Sequence, residues 1–164
     1  MLRIGLFCVQ SAHAAVPDGS MDCRVKPGHD DVREEHMKKS FVRGARAESR
    51  AYSPAVITEG AAKTIWVAGH TGAVDDAGKS LAGDFDAQVR QTFRNIEKTL
   101  AEAGAKLSDL VTMTVFLIDA RYTTRMTELR VQIFGKDFPA SAAITVAGFA
   151  LPEMMIEIQC IAVV

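Results

Sequence analysis

Phe85, Val89, Phe93, Ile96 and Leu100 recur at steps of four, four, three and four, which places them on one face of an α-helix. Asp84 and Asp86 suit the positive end of its dipole, and Gly104 suits its stop. Ahead of it, "KTIWVAG" (63–69) is rich in β-formers and ends on glycine, which predicts a strand. The Gly- and Asp-rich "HTGAVDDAGKSLAG" between them reads as a long loop. "LVTMTVFLI" (110–118) predicts a second strand, with Thr112 and Thr114 on a more polar face than Val111, Met113 and Val115. "YTTRMTELRVQIFG" predicts a second helix, with Met126, Leu129, Ile133 and Phe134 apolar, Thr123 or Thr124 as cap and Gly135 as stop. "SAAITVAG" and "MMIEIQCIAVV" predict two more strands, and "PAVITEG" another upstream. In the last strand Glu157 and Gln159 share one face while Ile156, Ile158 and Cys160 share the other.

This order predicts an α+β fold, a mixed sheet with two helices packed on one face. The short link between the last two strands favours antiparallel pairing of those strands. One helix layer leaves the second sheet face uncovered. The strands carry too little polarity to wet that face, so a homo-oligomer is expected.

Residues 1–50 show neither helical nor strand periodicity and carry charge clusters such as "HDDVREEHMKK". "MLRIGLFCVQSAHAA" has the outline of a secretory signal, but its apolar stretch of about six residues is shorter than such signals use. "MDCRVKPGHDD" resembles translated repeat elements that lie between genes. Residues 1–36 are therefore expected to be disordered or a mis-annotated extension, with Met37 as start and 37–164 as the domain.

A length of 164 residues suits a single domain able to bury a core without metal or disulfides. With 19 basic against 20 acidic residues, the net charge of −1 gives no electrostatic footprint for nucleic acid. No apolar run approaches the roughly 20 residues that span a bilayer. Cys8, Cys23 and Cys160 are odd in number and widely spaced. That argues against a disulfide framework or a structural zinc site and for a cytoplasmic setting. Cys160, in an apolar strand, reads as a buried small hydrophobe.

From Tyr52 to the C-terminus the chain resembles the Rid family (YjgF/YER057c/UK114), the reactive intermediate deaminases. The resemblance rests on "AYSPAV", "IWVAGHTG", "QVRQTFRNIEKTLAEAGAKLSDLVTMTVFLID" and "FPASAAITV…LP…IEIQCIAVV", in that order and spacing. It implies a chorismate-mutase-like fold, a homotrimer with ligand clefts between subunits, and a closing hairpin of the last two strands. It also implies hydrolysis of reactive enamines or imines, such as 2-aminoacrylate, to a 2-keto acid and ammonia without cofactor or metal.

On the same resemblance Glu157 matches the family glutamate that handles water, a task for an acid passing a proton between water and leaving ammonia. Tyr52 matches a tyrosine lining the cleft, and Gly69 a glycine whose backbone faces the ligand. His70 stands at a variable polar position and offers a second acid–base group or an anion contact. Thr127 falls near a family asparagine. Ser141 stands where deaminating members carry an arginine that grips the substrate carboxylate with two parallel hydrogen bonds. Ala143 replaces a nearby cysteine. Arg125 and Arg130, on the second helix, offer replacement positive charge.

Ser141 predicts weak or no activity on 2-aminoacrylate. Three readings remain open: an imine- or enamine-directed hydrolase, a trimeric metabolite-binding module without catalysis, and a chaperone or translation-related protein.

Overall fold

The computed structural model of the chain describes residues 37–60 and 62–164. The expectation for residues 1–36 lies outside these. The elements run β1 (Lys38–Phe41), α1 (Ala45–Glu48), β2 (Val56–Glu59), β3 (Thr64–His70), α2 (Phe85–Glu102), β4 (Leu110–Leu117), α3 (Thr123–Phe134), β5 (Ala140–Thr145) and β6 (Ile156–Val163). β1 and β2 pair antiparallel in a small separate sheet, and the main sheet has the order β3-β6-β4-β5.

The α2 stripe behaves as its spacing predicts: Val89, Ile96 and Leu100 are fully buried, and Phe85 and Phe93 nearly so. Asp84 caps the helix by accepting from the Ala87 amide at 2.9 Å. At the other end Gly104 has φ 74°, and the Ala105 amide donates to the Leu100 carbonyl at 2.8 Å. This left-handed stop closes off an orphan carbonyl and needs a residue without Cβ strain. α3 starts differently from the expectation. Tyr122 occupies the N-cap without a side-chain bond, and a 3₁₀ turn at Ala120–Tyr122, capped by Asp119, feeds the helix directly. Thr123 is thus already helical. Gly135 ends α3 with φ 68°.

Both helices lie on one face of the main sheet. There Met113, Val115 and Leu117 of β4 and Ile156, Ile158, Cys160 and Ala162 of β6 meet the apolar stripes of α2 and α3 in one buried cluster. Phe93 meets Phe134 edge to face at 5.5 Å between ring centroids, joining the helices.

The last two strands do not form a hairpin. β5 pairs parallel with β4, as a strand-helix-strand crossover through α3 requires. Residues 146–155 then carry the chain across β4, so that β6 inserts between β4 and β3, antiparallel to both. The sequence predicts a short link here, but residues 146–155 are long enough to cross one strand. β6 thereby gains two hydrogen-bonded neighbours where a hairpin with β5 would give it an edge.

The opposite face of the main sheet is bare in the single chain. Trp66 is 77% exposed there, beside Thr112, Thr114, Gln159 and Ile161, which with Ala68 line a depression of about 410 Å³. Among the described residues no helix is long and apolar enough to cross a membrane.

Candidate functional site

Glu157 lies on this bare face. Alternation along β6 sends Ile156 and Ile158 into the core and Glu157 outward, across from Phe116 of β4. On its other side the β3–β6 register slips between Val67 and His70, and Gly69 sits in the irregularity. A Cβ built on Gly69 would stand 1.9 Å from Glu157 Oε1. The carboxylate occupies the space that a side chain at 69 would fill. Among the described residues the Glu157 carboxylate has no hydrogen-bond or ion-pair partner.

His70 follows immediately, but its ring is engaged. Nδ1 lies 2.9 Å from the Ala68 carbonyl and Nε2 2.8 Å from Thr99 Oγ1. A carbonyl only accepts, so Nδ1 carries a proton, and Nε2 shares a hydrogen bond with the threonine hydroxyl. Both ring nitrogens are thereby engaged: the Nδ1 contact stays within β3, and the Nε2 contact ties β3 to α2.

A second group forms on the helix face. Ser141 pairs in register with Met113, so it shares the buried side of the sheet. Arg130 of α3 comes down onto it: Nη1 donates to Ser141 Oγ at 3.0 Å, and Nη2 to the Arg50 carbonyl at 3.0 Å and more loosely to Thr127 Oγ1 at 3.4 Å. Arg130 is 5% exposed, and its enclosed Nε–H has no acceptor. Burial pulls its guanidinium below the ordinary arginine value. No acidic side chain pairs with it among the described residues. Tyr52, whose hydroxyl has no partner among the described residues, joins Arg130, Thr127 and Ser141 around a cavity of about 200 Å³.

The structure thus gathers Tyr52, Thr127, Arg130 and Ser141 into one place and Glu157 and Gly69 into another. The two groups occupy opposite faces of the same sheet, and within one chain they do not form a single cleft. Arg125 belongs to neither: its Nε donates to both Asp86 oxygens at 2.9 and 3.0 Å, and its Nη1 pairs with Glu128, so two acids neutralise it. Among the described residues no three His, Cys, Asp or Glu side chains converge as a metal would require.

Two contributors escaped the sequence reading. Arg50 lines the same cavity, in a stretch without periodicity to mark it. Gln88 is fully buried on α2, where its amide donates to the Leu81 and Glu153 carbonyls at 3.0 and 2.8 Å and its Oε1 accepts from the Met155 amide at 2.9 Å. It pins the chain two residues ahead of Glu157. Its only sequence signal is a polar residue beside the apolar stripe.

The family model described as Endoribonuclease L-PSP matches residues 44–164. A human protein named 2-iminobutanoate/2-iminopropanoate deaminase is 33% identical over 113 residues, 68% of this chain and 79% of its own. A RutC family protein of Pyrococcus abyssi is 36% identical over 99 residues, 60% of this chain and 76% of its own. Among solved structures, a YjgF/YER057c/UK114 family member from Mycobacterium tuberculosis superposes with a TM-score of 0.54 at 29% identity, covering 77% of this chain and all of its own. Family match, relatives and fold agree, and the chain belongs to the Rid (YjgF/YER057c/UK114) family.

Proposed function

We propose that this protein is a deaminase-type hydrolase of small reactive imines or enamines, working in clefts between copies of a homotrimer without cofactor or metal. The observation that carries this reading is the unpartnered Glu157 carboxylate standing over Gly69 on the bare sheet face. Relatives named 2-iminobutanoate/2-iminopropanoate deaminase support the reaction class.

Water adds to the imine carbon, and Glu157 accepts a proton from the attacking water. The same carboxyl returns that proton to nitrogen, giving a carbinolamine; it then carries the new hydroxyl's proton to the amine, the C–N bond breaks, and the products are a carbonyl compound and ammonia. An enamine enters the same sequence after a proton from solvent reaches its β-carbon. Glu157 of one copy and the Tyr52–Ser141 group of its neighbour would complete one cleft, since the two groups lie on opposite faces within a chain.

Complementation tests this arrangement. Glu157→Gln and Tyr52→Ala homotrimers are each expected to be inactive on imines generated in situ. Co-refolded mixtures should regain activity, because some clefts then combine two intact halves. Mixtures that stay inactive would remove the intersubunit cleft from the account. Ser141 favours a second reading, a trimeric metabolite-binding module; under it the wild-type protein turns over no imine but binds small metabolites.

A further inference from the structure

Glu157 has its room because β3 carries one residue more than β6 can match. Between the pairs Val67–Cys160 and His70–Ile158, β3 has two residues, Ala68 and Gly69, where β6 has one, Gln159. Strict alternation from the buried Val67 would turn Gly69 inward to the helices and His70 outward onto the bare face. The extra residue reverses both. Gly69 faces Glu157, and His70 crosses to the helix side, where its ring meets Thr99 of α2. The bulge is thus what sets a glycine, and not a histidine, against the carboxylate.

The chain on either side of the bulge is held independently. Residues 64–67 pair with β6. Beyond the bulge, Asn95 of α2 donates to the Thr71 carbonyl at 2.8 Å, and Gly72 lies so close to the helix that a Cβ would collide with the Gln88 carbonyl oxygen. The extra residue lies between these anchors, and the His70 ring holds it from two sides. Nδ1 donates to the Ala68 carbonyl at 2.9 Å, which fixes the plane of the Ala68–Gly69 peptide. Nε2 bonds Thr99 Oγ1 at 2.8 Å, on a turn of α2 whose Ile96 and Leu100 are fully buried. The bulge is therefore referenced to the core of the domain.

We propose that Thr99 and His70 are positioning residues, whose hydrogen bond locks the β3 bulge in the register that turns Gly69 to Glu157. The proposal rests on Glu157 as the acid of the proposed hydrolase, but the state of the bulge can be read without turnover.

The test uses the full-length protein, isotopically labelled at its glycine nitrogens and read by NMR, with the Gly69 amide identified by its loss in Gly69→Ala. Thr99→Val removes the hydroxyl at nearly constant volume. It should shift or broaden the Gly69 resonance and lower kcat on imines by on the order of tenfold with KM little changed, since a misplacement of about 1 Å costs up to about a hundredfold. His70→Asn keeps a nitrogen near the Nδ1 position but is too short to reach Thr99, and should do the same. Thr99→Ser keeps the hydroxyl and should restore both the resonance and kcat. A Thr99→Val protein with both at wild-type values overturns the proposal. So does a moved resonance with unchanged kcat in an active protein, a fallen kcat with the resonance in place, or a Thr99→Ser protein as impaired as Thr99→Val. Should Thr99→Val not fold, His70→Asn decides by the same criteria. If the resonance moves in Thr99→Val and returns in Thr99→Ser while no chain, wild type included, turns over an imine, the lock on the bulge stands and the hydrolase falls.

Discussion

The carboxylate of Glu157 and the backbone of Gly69 share one volume: a methyl group on the glycine would lie 1.9 Å from Oε1. Gly69 has no left-handed backbone requirement, so its role is room for the acid rather than a turn. The consequence is specific. Gly69→Ala displaces only the flexible end of a side chain, so its melting temperature should stay within a few degrees of wild type. Its rate on imines should drop on the order of a hundredfold or more, towards that of Glu157→Gln. Thermal unfolding and steady-state kinetics on the same preparation check both halves.

Gln88 predicts the opposite separation. Three hydrogen bonds hold residues 81, 153 and 155 to α2. Gln88→Ala leaves their backbone groups unpaired beside a cavity, which costs roughly 2–4 kcal/mol. Urea unfolding should show a lower midpoint. Any loss of rate should accompany that loss of stability, since Gln88 acts by placing the chain that enters β6.

Cys160 gives a pH dependence. Burial pushes its thiol from about 9 up to about 11. The unfolded chain releases this proton at lower pH than the folded one. The group's contribution to stability is therefore complete below about 9 and lost as pH rises through about 11. Stability measured by denaturant should decline across that window, and Cys160→Ala should remove this component of the decline. At neutral pH a thiol reagent should label Cys160 only as fast as the chain opens, because thiolate is scarce and the residue is 2% exposed.

Trp66 reports on the bare face. It is 77% exposed in the single chain, in a depression it lines together with Thr112, Thr114, Gln159 and Ile161. In the proposed trimer this surface is covered, so the tryptophan emission should be blue-shifted relative to a monomer. Trp66→Glu should yield monomers by light scattering, inactive but folded by circular dichroism. A variant that remains trimeric would place the interface elsewhere.

What could be read in the sequence was what repeats locally. The α2 stripe, the alternation in β6 that exposes Glu157, and the glycine stops at 104 and 135 each depend on neighbours a few residues apart. Strand order did not follow the same logic. The choice between a β5–β6 hairpin and insertion of β6 between β4 and β3 depends on edge competition across the whole sheet, which no local pattern encodes. The site divides likewise. Family spacing led to Glu157, Tyr52 and Ser141. The meeting of Arg130 with Ser141 requires knowing that α3 crosses β5, and Arg50 had no periodicity to mark it. Arg125 and Arg130 look equivalent in the sequence, yet one is neutralised by Asp86 and Glu128 and the other is buried without an acid.

The measurement that tests the central claim most directly is imine hydrolysis itself. An amino-acid oxidase generates 2-imino acids in situ, and the added protein competes with their spontaneous decay. Wild type should accelerate ammonia release, and Glu157→Gln should slow its catalysed rate by on the order of a hundredfold or more without altering assembly. Wild-type and Glu157→Gln proteins that release ammonia equally fast, whether both accelerate it or neither does, would contradict the assignment of Glu157 as the acid that handles water.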